Sequence, residues 1–292
     1  MAEISAKMVM GLREKTGAAM MLCKEALIAT DANEEDAIVY IRTKLGKKFA
    51  GATERSASDG VIAIAAVGNT AAIIELNSET DFVARNDEFR ALANELAIHV
   101  ATTKPASVEI ALTQASLTQP EFTVQQRIED VFSRLRERIV LNRFGIIETQ
   151  TNGVLGSYIH VPSADKTGVI VELAAGALEA TSDELKTLAR NLAIQVAGAK
   201  PKYLNRDEVP EKVLQTEKDI VKAAAIEEGK PEAAIEKIVD GRVRKFYEET
   251  VLLDQPYQRD QKMTITQVLA AAGEDVSIKG YIRFVVGESA GA

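Results

Sequence analysis

The sequence has few of the residues that most often carry out chemistry in proteins. Its 292 residues include two histidines, one cysteine and no tryptophan. A single cysteine, Cys23, excludes an intramolecular disulfide bond and is typical of a reducing compartment. The histidines, His99 and His160, are far apart, and no group of Cys and His has the spacing of metal ligands. We therefore expect no metal site and no catalytic residues, and for His99 a structural role at the surface or half-buried.

Several sequence patterns are also missing. There is no glycine-rich phosphate-binding loop and no dinucleotide fingerprint. No stretch approaches the roughly 18 apolar residues of a membrane-spanning helix, and the N-terminus lacks the basic and apolar regions of a signal peptide. The net charge of −8 gives no large attraction to nucleic-acid backbones. These absences predict a soluble, cytoplasmic binding or regulatory protein with no cofactor and no direct contact with nucleotide, nucleic acid or membrane.

Residues 1–50 have the pattern of three short helices. The first has an apolar residue at every fourth position, namely Ile4, Met8 and Leu12. Ser5 and Asn33 are predicted to cap the first and third helices. Residues 47–56 are polar and predict a linker to the next part of the chain.

A strand, a turn and a second strand follow the linker. Two runs rich in β-branched residues, 61–67 and 71–76, flank Gly68-Asn69, which is the pattern of a β-hairpin. Helical periodicity then begins at Asp87.

This helical segment occurs twice. Residues 87–105 read DEFRALANELAIHVATTKP and residues 183–201 read DELKTLARNLAIQVAGAKP, with eleven identical positions. Glycine and β-branched residues upstream also match, so the sequence predicts two related strand-strand-helix units. Two copies are too few for a solenoid, and an α+β core built from two halves is the better interpretation.

The segment before each helix differs between the copies. The first copy has NSETDFVARN at residues 77–86, and the second has AAGALEATS at residues 174–182. If Phe82 filled the core of its own half, we would expect an apolar counterpart, and Leu178 is the only candidate. Two positions for Phe82 stay open: held out for a partner, or packed against its own helix as a staple.

The later sequence predicts further helices. Residues 125–143 have an apolar stripe that ends with Leu135 and Ile139, and arginines elsewhere. A nucleic-acid-binding face is one interpretation of these arginines, but interspersed acids favour a solvated helix face. Residues 205–249 predict a helical hairpin that either mediates self-association or acts as a spacer. A short helix capped by Thr264 and a final strand at residues 277–286 complete the chain.

Four segments together are specific to one family. They are LREKTGAAMMLCKEAL at residues 12–27, NSETDFVARN at 77–86, VDGRVRKF at 239–246, which follows Lys230-Pro231, and GYIRFVVGE at 280–288. They closely resemble the elongation factor Ts family, the nucleotide-exchange factors of bacterial elongation factor Tu. The resemblance covers residues 1–288.

The resemblance implies an α+β fold with a three-helix N-terminal domain like the ubiquitin-associated domain, two related core subdomains with antiparallel sheets, and an inserted helical hairpin. The expected domains are the N-terminal domain 1–54, core subdomain N 55–150, the first part of core subdomain C 151–204, the hairpin 205–249, and the rest of core subdomain C with the tail 250–292.

The resemblance also implies a mechanism. The partner would be elongation factor Tu, contacted at its GTPase domain and a second domain. The Asp-Phe pair of the family, matched by Asp81 and Phe82, reaches into the GTPase domain and disturbs its magnesium and phosphate site, so that GDP is released. The flanking Thr80 and Val83 would belong to the same contact.

Further contact residues of the family map onto the N-terminal helices, at Arg13, Met20 and Met21. Two other functions stay open at this point: an enzyme acting on a small molecule between the two halves, and a helical scaffold that binds proteins through residues 1–50.

Overall fold

The computed structural model describes residues 4–16, 18–52, 55–149, 152–161, 166–176 and 182–288. The chain divides into two compact units. Unit 1 contains Met1–Ile146, Ile159–Gly168 and Phe284–Ala292, and unit 2 contains Ile147–Tyr158 and Val169–Arg283. Helices and small antiparallel sheets are both present, so the predicted α+β class is confirmed. No helix in the described ranges is both long enough and apolar enough to cross a membrane.

Three helices open unit 1: α1 (Ala6–Thr16), α2 (Met20–Ala29) and α3 (Glu34–Ala52). The two predicted caps are confirmed. The Ser5 hydroxyl accepts a hydrogen bond from the Met8 N–H, and the Asn33 side chain accepts from Glu35 and Asp36. Cys23 is buried in the small core between these helices.

The predicted linker at residues 47–56 is wrong in its first half, because α3 continues to Ala52. Lysine and alanine are good helix formers, and in this segment they outweigh the cost of one glycine within the helix.

The remaining elements of unit 1 surround a three-stranded sheet of order β1-β2-β3. They are β1 (Asp59–Val67), β2 (Thr70–Ser78), α4 (Asp81–Ala84), α5 (Asp87–Thr103), α6 (Val108–Thr113), α7 (Val124–Leu135) and β3 (Val140–Glu148). The predicted hairpin is confirmed: β1 and β2 pair antiparallel, with Val67 opposite Thr70 across a turn in which Gly68 has a φ of 59°. A side chain would be strained at that angle, so glycine suits the turn.

The amphipathic helix predicted for residues 125–143 is wrong beyond Leu135. Arg136 adopts a left-handed conformation with a φ of 62° and ends α7. The chain then turns into β3, and Ile139 is buried in the connection between them. The apolar spacing continued by chance into a segment rich in β-branched residues, which favour a strand.

In its described residues, unit 2 contains most of a second three-stranded sheet of order β4-β5-β8, a two-stranded sheet β6-β7 and four α-helices. The elements that lie wholly or mostly in unit 2 are β4 (Gly153–Ile159), β5 (Thr167–Ala174), α8 (Asp183–Ala199), α9 (Glu211–Glu227), α10 (Glu232–Thr250), β6 (Pro256–Tyr257), β7 (Asp260–Thr264), α11 (Ile265–Ala272) and β8 (Ser277–Val285). Thr264 forms a capping box at the start of α11, as predicted.

The two copies of the repeated segment form helices of the same design. Helices α5 and α8 both have 17 residues, and each is followed by a lysine in a left-handed conformation, Lys104 or Lys200. A proline follows each lysine, and it cannot continue the helix. Leu178, the only candidate for a counterpart of Phe82 in the second copy, lies outside the described residues.

One polar position of the repeat is buried in both helices. His99 is 2% exposed, so the prediction of a surface or half-buried position is wrong, and its Nε2 lies 2.8 Å from Gln114 Oε1. Gln195, its counterpart in α8, is buried as well and accepts a hydrogen bond from the Gln258 N–H. The shared burial of a histidine and a glutamine favours a structural role for both.

Helices α9 and α10 form the predicted hairpin, and Ile235 and Phe246 are buried side chains of α10. Ile220 and Ile226 are exposed on α9. Self-association through this hairpin stays a prediction, as do the domain boundaries.

Candidate functional site

The segment that carries Phe82 is a single turn of helix, α4, between β2 and α5. Thr80 caps α4 through its hydroxyl, which accepts a hydrogen bond from the Val83 N–H. Phe82 is 83% exposed. Large apolar side chains are usually buried, so this one is held in solvent by the structure around it. Of the two positions that the sequence left open, the structure has the outward one.

The chain before Phe82 is fixed to the connection between α7 and β3. The Glu137 carboxylate accepts from the Thr80 N–H at 3.0 Å and from the Thr80 hydroxyl at 2.7 Å. In the opposite direction, Glu79 accepts from the Arg138 N–H at 2.7 Å. Glu79 and Thr80, just before Phe82, therefore bind Arg138 and Glu137 in the connection. One carboxylate comes from each segment.

The chain after Phe82 is fixed by burial and by a helix cap. Val83 is 8% exposed and Ala84 is buried, and both pack in the core of unit 1. The Asn86 side chain then accepts hydrogen bonds from the N–H groups of Glu88 and Phe89 at the start of α5. Phe82 thus projects from a turn that is anchored on both sides.

The cap at Asn86 gives a stability prediction. Asn86→Ala is expected to lower the free energy of unfolding by about 1 kcal/mol, because two N–H groups at the start of α5 lose their acceptor. Thermal unfolding followed by circular dichroism measures this loss.

The repeat supplies a matched control for that variant. Ser182 occupies the same position before α8 but makes no capping hydrogen bond with its side chain. Ser182→Ala should therefore leave the unfolding temperature close to that of the wild type, and an equal loss in both variants would contradict the assignment of the cap.

Asp81 is less firmly held than its neighbours. Its carboxylate lies 3.0 Å from the Arg85 guanidinium, and both side chains are substantially exposed. Exposed ion pairs contribute little, because water and salt screen them. Asp81 can exchange this partner for another at small cost.

The three predicted contact residues of the N-terminal helices lie on exposed surface. Arg13 is exposed in the last turn of α1, and Met20 and Met21 are exposed in the first turn of α2, with Met21 75% exposed. Met10, three residues before Arg13, is exposed as well, and residues at that spacing share a helix face. Flexible methionine side chains are common on binding surfaces.

Thr80 and Val83 differ from the other predicted contact residues because their side chains are engaged within this protein. Thr80 is engaged by Glu137, and Val83 is buried. Their side chains support the turn, whereas those of Asp81 and Phe82 face solvent.

Sequence reasoning missed Glu137, Glu79 and Met10. The contacts of Glu137 and Glu79 join residues 57 and 59 positions apart, and no local pattern pairs them. Met10 could have been found from its spacing to Arg13 on one helical face.

A metal site would require several ligand side chains close together in the parts of the chain that the structure describes. No group of three or more His, Cys, Asp and Glu side chains is placed to hold a metal ion there. The solvent-facing Phe82 and methionines can make contacts with another protein.

Comparison with known families covers the part of the chain that carries Phe82 and leaves out the N-terminal helices. The family model for elongation factor TS matches residues 79–288, which include the anchored turn, the hairpin and the final strand. The chain belongs to the elongation factor Ts family, the nucleotide-exchange factors that act on elongation factor Tu in translation elongation.

Proposed function

We propose that this protein accelerates the release of GDP from elongation factor Tu by inserting Phe82 into the GTPase domain of that partner. The observation that carries the proposal is the exposure of Phe82 on a turn that is anchored on both sides. An apolar side chain already held in solvent costs little ordering entropy when it enters a pocket.

Asp81 takes part through a change of ion-pair partner. In the free protein its carboxylate is paired with Arg85 at the surface. When Phe82 enters the partner, Asp81 comes close to the magnesium and phosphate site and adds negative charge there. The added negative charge repels the GDP phosphates, and the carboxylate competes with those phosphates for Mg²⁺.

The N-terminal helices provide a second contact. Arg13, Met20 and Met21 are exposed, and we assign them, with the domain 1–54, to docking on elongation factor Tu. Such a contact adds affinity but need not distinguish the GDP-bound partner from the nucleotide-free one. Exchange itself depends on the contact that does distinguish them.

The energy available from Phe82 is limited. Burying a phenylalanine side chain contributes about 1.5–3 kcal/mol, which corresponds to roughly a tenfold to hundredfold change in affinity. No chemical step is needed, since exchange requires only that the protein bind the nucleotide-free partner more tightly. This requirement fits a family that is not enzymatic in the usual sense.

Thermodynamic linkage supplies the test. A protein that weakens GDP binding by some factor must itself bind the GDP-loaded partner more weakly by the same factor. We expect the dissociation constant of this protein for elongation factor Tu to rise at least about tenfold when GDP saturates the partner.

Titration calorimetry with the two forms of the partner measures this ratio, and stopped-flow release of fluorescent GDP measures the acceleration. Equal affinity for the GDP-loaded and nucleotide-free forms would exclude the proposed function, whatever the strength of binding.

A further inference from the structure

We propose that Glu137 is a positioning residue for nucleotide exchange, which fixes the direction in which Phe82 projects by holding Thr80. This inference rests on the proposed function of Phe82. Glu137 lies in the connection between α7 and β3, far in sequence from the turn that it holds.

The geometry shows why the carboxylate is suited to this task. One oxygen of Glu137 accepts from the Thr80 N–H at 3.0 Å and the other accepts from the Thr80 hydroxyl at 2.7 Å. Hydrogen bonds to an ionised acceptor are about twice as strong as those between neutral groups. Two bonds to one residue also fix its orientation, which a single bond would not.

Thr80 determines the direction of the short helix. It caps α4, and the Ala84 N–H donates back to the Thr80 carbonyl at 3.2 Å. Phe82 lies within this single turn, so a rotation of Thr80 would swing the exposed ring. A one-turn helix has too few hydrogen bonds of its own to resist that rotation.

The connection between α7 and β3, which carries Glu137, is itself held in place. Arg136 turns the chain in a left-handed conformation, the next two residues face the turn, and Ile139 is buried behind them. The Arg138 N–H donates to Glu79, so the two segments are joined in both directions. The segment that presents the Glu137 carboxylate is thus itself held by a hydrogen bond and by a buried side chain.

The test uses Glu137→Gln, which keeps the size of the side chain. An amide has one acceptor oxygen, so glutamine cannot accept both hydrogen bonds from Thr80 in the observed arrangement. If the fraction of molecules with Phe82 correctly directed falls to about a fifth, the apparent kcat/KM of GDP release falls about fivefold. The same substitution combined with Phe82→Ala should have no further effect, because it acts through Phe82.

Glu121→Gln is the matched control. Glu121 is exposed before α7, and its substitution removes the same charge. We expect Glu121→Gln to exchange nucleotide at the wild-type rate.

A spectroscopic measurement reports on the turn without the partner. The chain has no tryptophan, so Phe82→Trp introduces a single tryptophan at the projecting position, which can be excited selectively over the six tyrosines. Time-resolved anisotropy should show faster local motion of Trp after Glu137→Gln is added, and no change after Glu121→Gln is added.

The outcomes separate this proposal from the function on which it rests. A loss of exchange in Phe82→Ala but not in Glu137→Gln overturns the role of Glu137 alone, as does unchanged anisotropy. Further slowing by Glu137→Gln in the Phe82→Ala background also overturns it. Exchange at the wild-type rate in Phe82→Ala would instead contradict the proposed insertion of Phe82 into the partner.

Discussion

Phe82→Ala is expected to lower the kcat/KM of GDP release from elongation factor Tu about 30-fold. This figure corresponds to a loss of about 2 kcal/mol, the middle of the range for burying a phenylalanine side chain. Truncation of an aromatic residue at the centre of an interface commonly costs this much. Stopped-flow fluorescence of labelled GDP, at several concentrations of the variant, gives the value directly.

The fold of Phe82→Ala should be intact. Since the side chain is 83% exposed, its removal takes away little buried area, and substitutions at such positions usually change stability by less than about 0.5 kcal/mol. Circular dichroism and the unfolding temperature are therefore expected to match those of the wild type. A defect in exchange can then be attributed to the contact with the partner.

Ile98→Ala is the matched control for Phe82→Ala. Ile98 is a partly exposed apolar side chain on α5, in the same unit but on a different element. We expect Ile98→Ala to leave exchange unchanged. An equal rate for wild type and Phe82→Ala would exclude the insertion mechanism, and an equal loss in both variants would show a general effect of surface hydrophobicity.

The sequence was most informative where structure is determined locally. The caps at Ser5, Asn33 and Thr264 depend on residues two or three positions away, and all three were predicted. The outward position of Phe82 was one of two alternatives, and the repeat favoured it because the second copy of the segment carries no aromatic residue. Local patterns and an internal comparison thus singled out the segment that carries Phe82, and the family resemblance gave it a candidate role.

The supports of the site could not be predicted in this way. Glu137 was placed within a long helix, because the apolar spacing from Leu135 to Ile139 continues the helical pattern. In the structure Arg136 ends that helix, and Glu137 meets Thr80 across the fold. Contacts between distant segments depend on how the elements pack together, and periodicity within one element does not report it.

A second contact between distant segments stabilises the strand that leads to the turn. Glu75 on β2 has a side chain with 0% exposure, and its carboxylate lies 2.7 Å from the Nε of Arg143 on β3. The same carboxylate accepts from the Gly287 N–H at 2.9 Å, and Arg143 donates to the Val285 carbonyl at 2.9 Å. The guanidinium also lies 4.2 Å from the centre of the Phe284 ring. One ion pair thus joins two strands of unit 1 to the chain at residues 284–287.

Arg143→Met is expected to lower the free energy of unfolding of unit 1 by about 3 kcal/mol. The substitution leaves the fully buried carboxylate of Glu75 without its cation, and breaking a buried pair in this way typically costs about 3–5 kcal/mol. We expect the lower end of that range, because Arg143 is 17% exposed and water reaches part of the site. Urea unfolding followed by circular dichroism measures the loss. Hydrogen exchange of the β2 amides shows whether the loss of stability lies in unit 1.

The double variant Glu75→Leu/Arg143→Met distinguishes a lost charge partner from lost packing. Apolar residues of similar volume often replace a buried ion pair without net loss, so the double variant should recover stability to within about 1 kcal/mol of the wild type. Lys186→Met, which removes a cation from the exposed pair with Asp183, should cost less than about 0.5 kcal/mol. A double variant less stable than Arg143→Met would show that the pair is required for its hydrogen bonds to residues 285 and 287. The strand before Phe82 would then depend on the C-terminal segment for its position, and exchange activity should fall together with protection of the β2 amides.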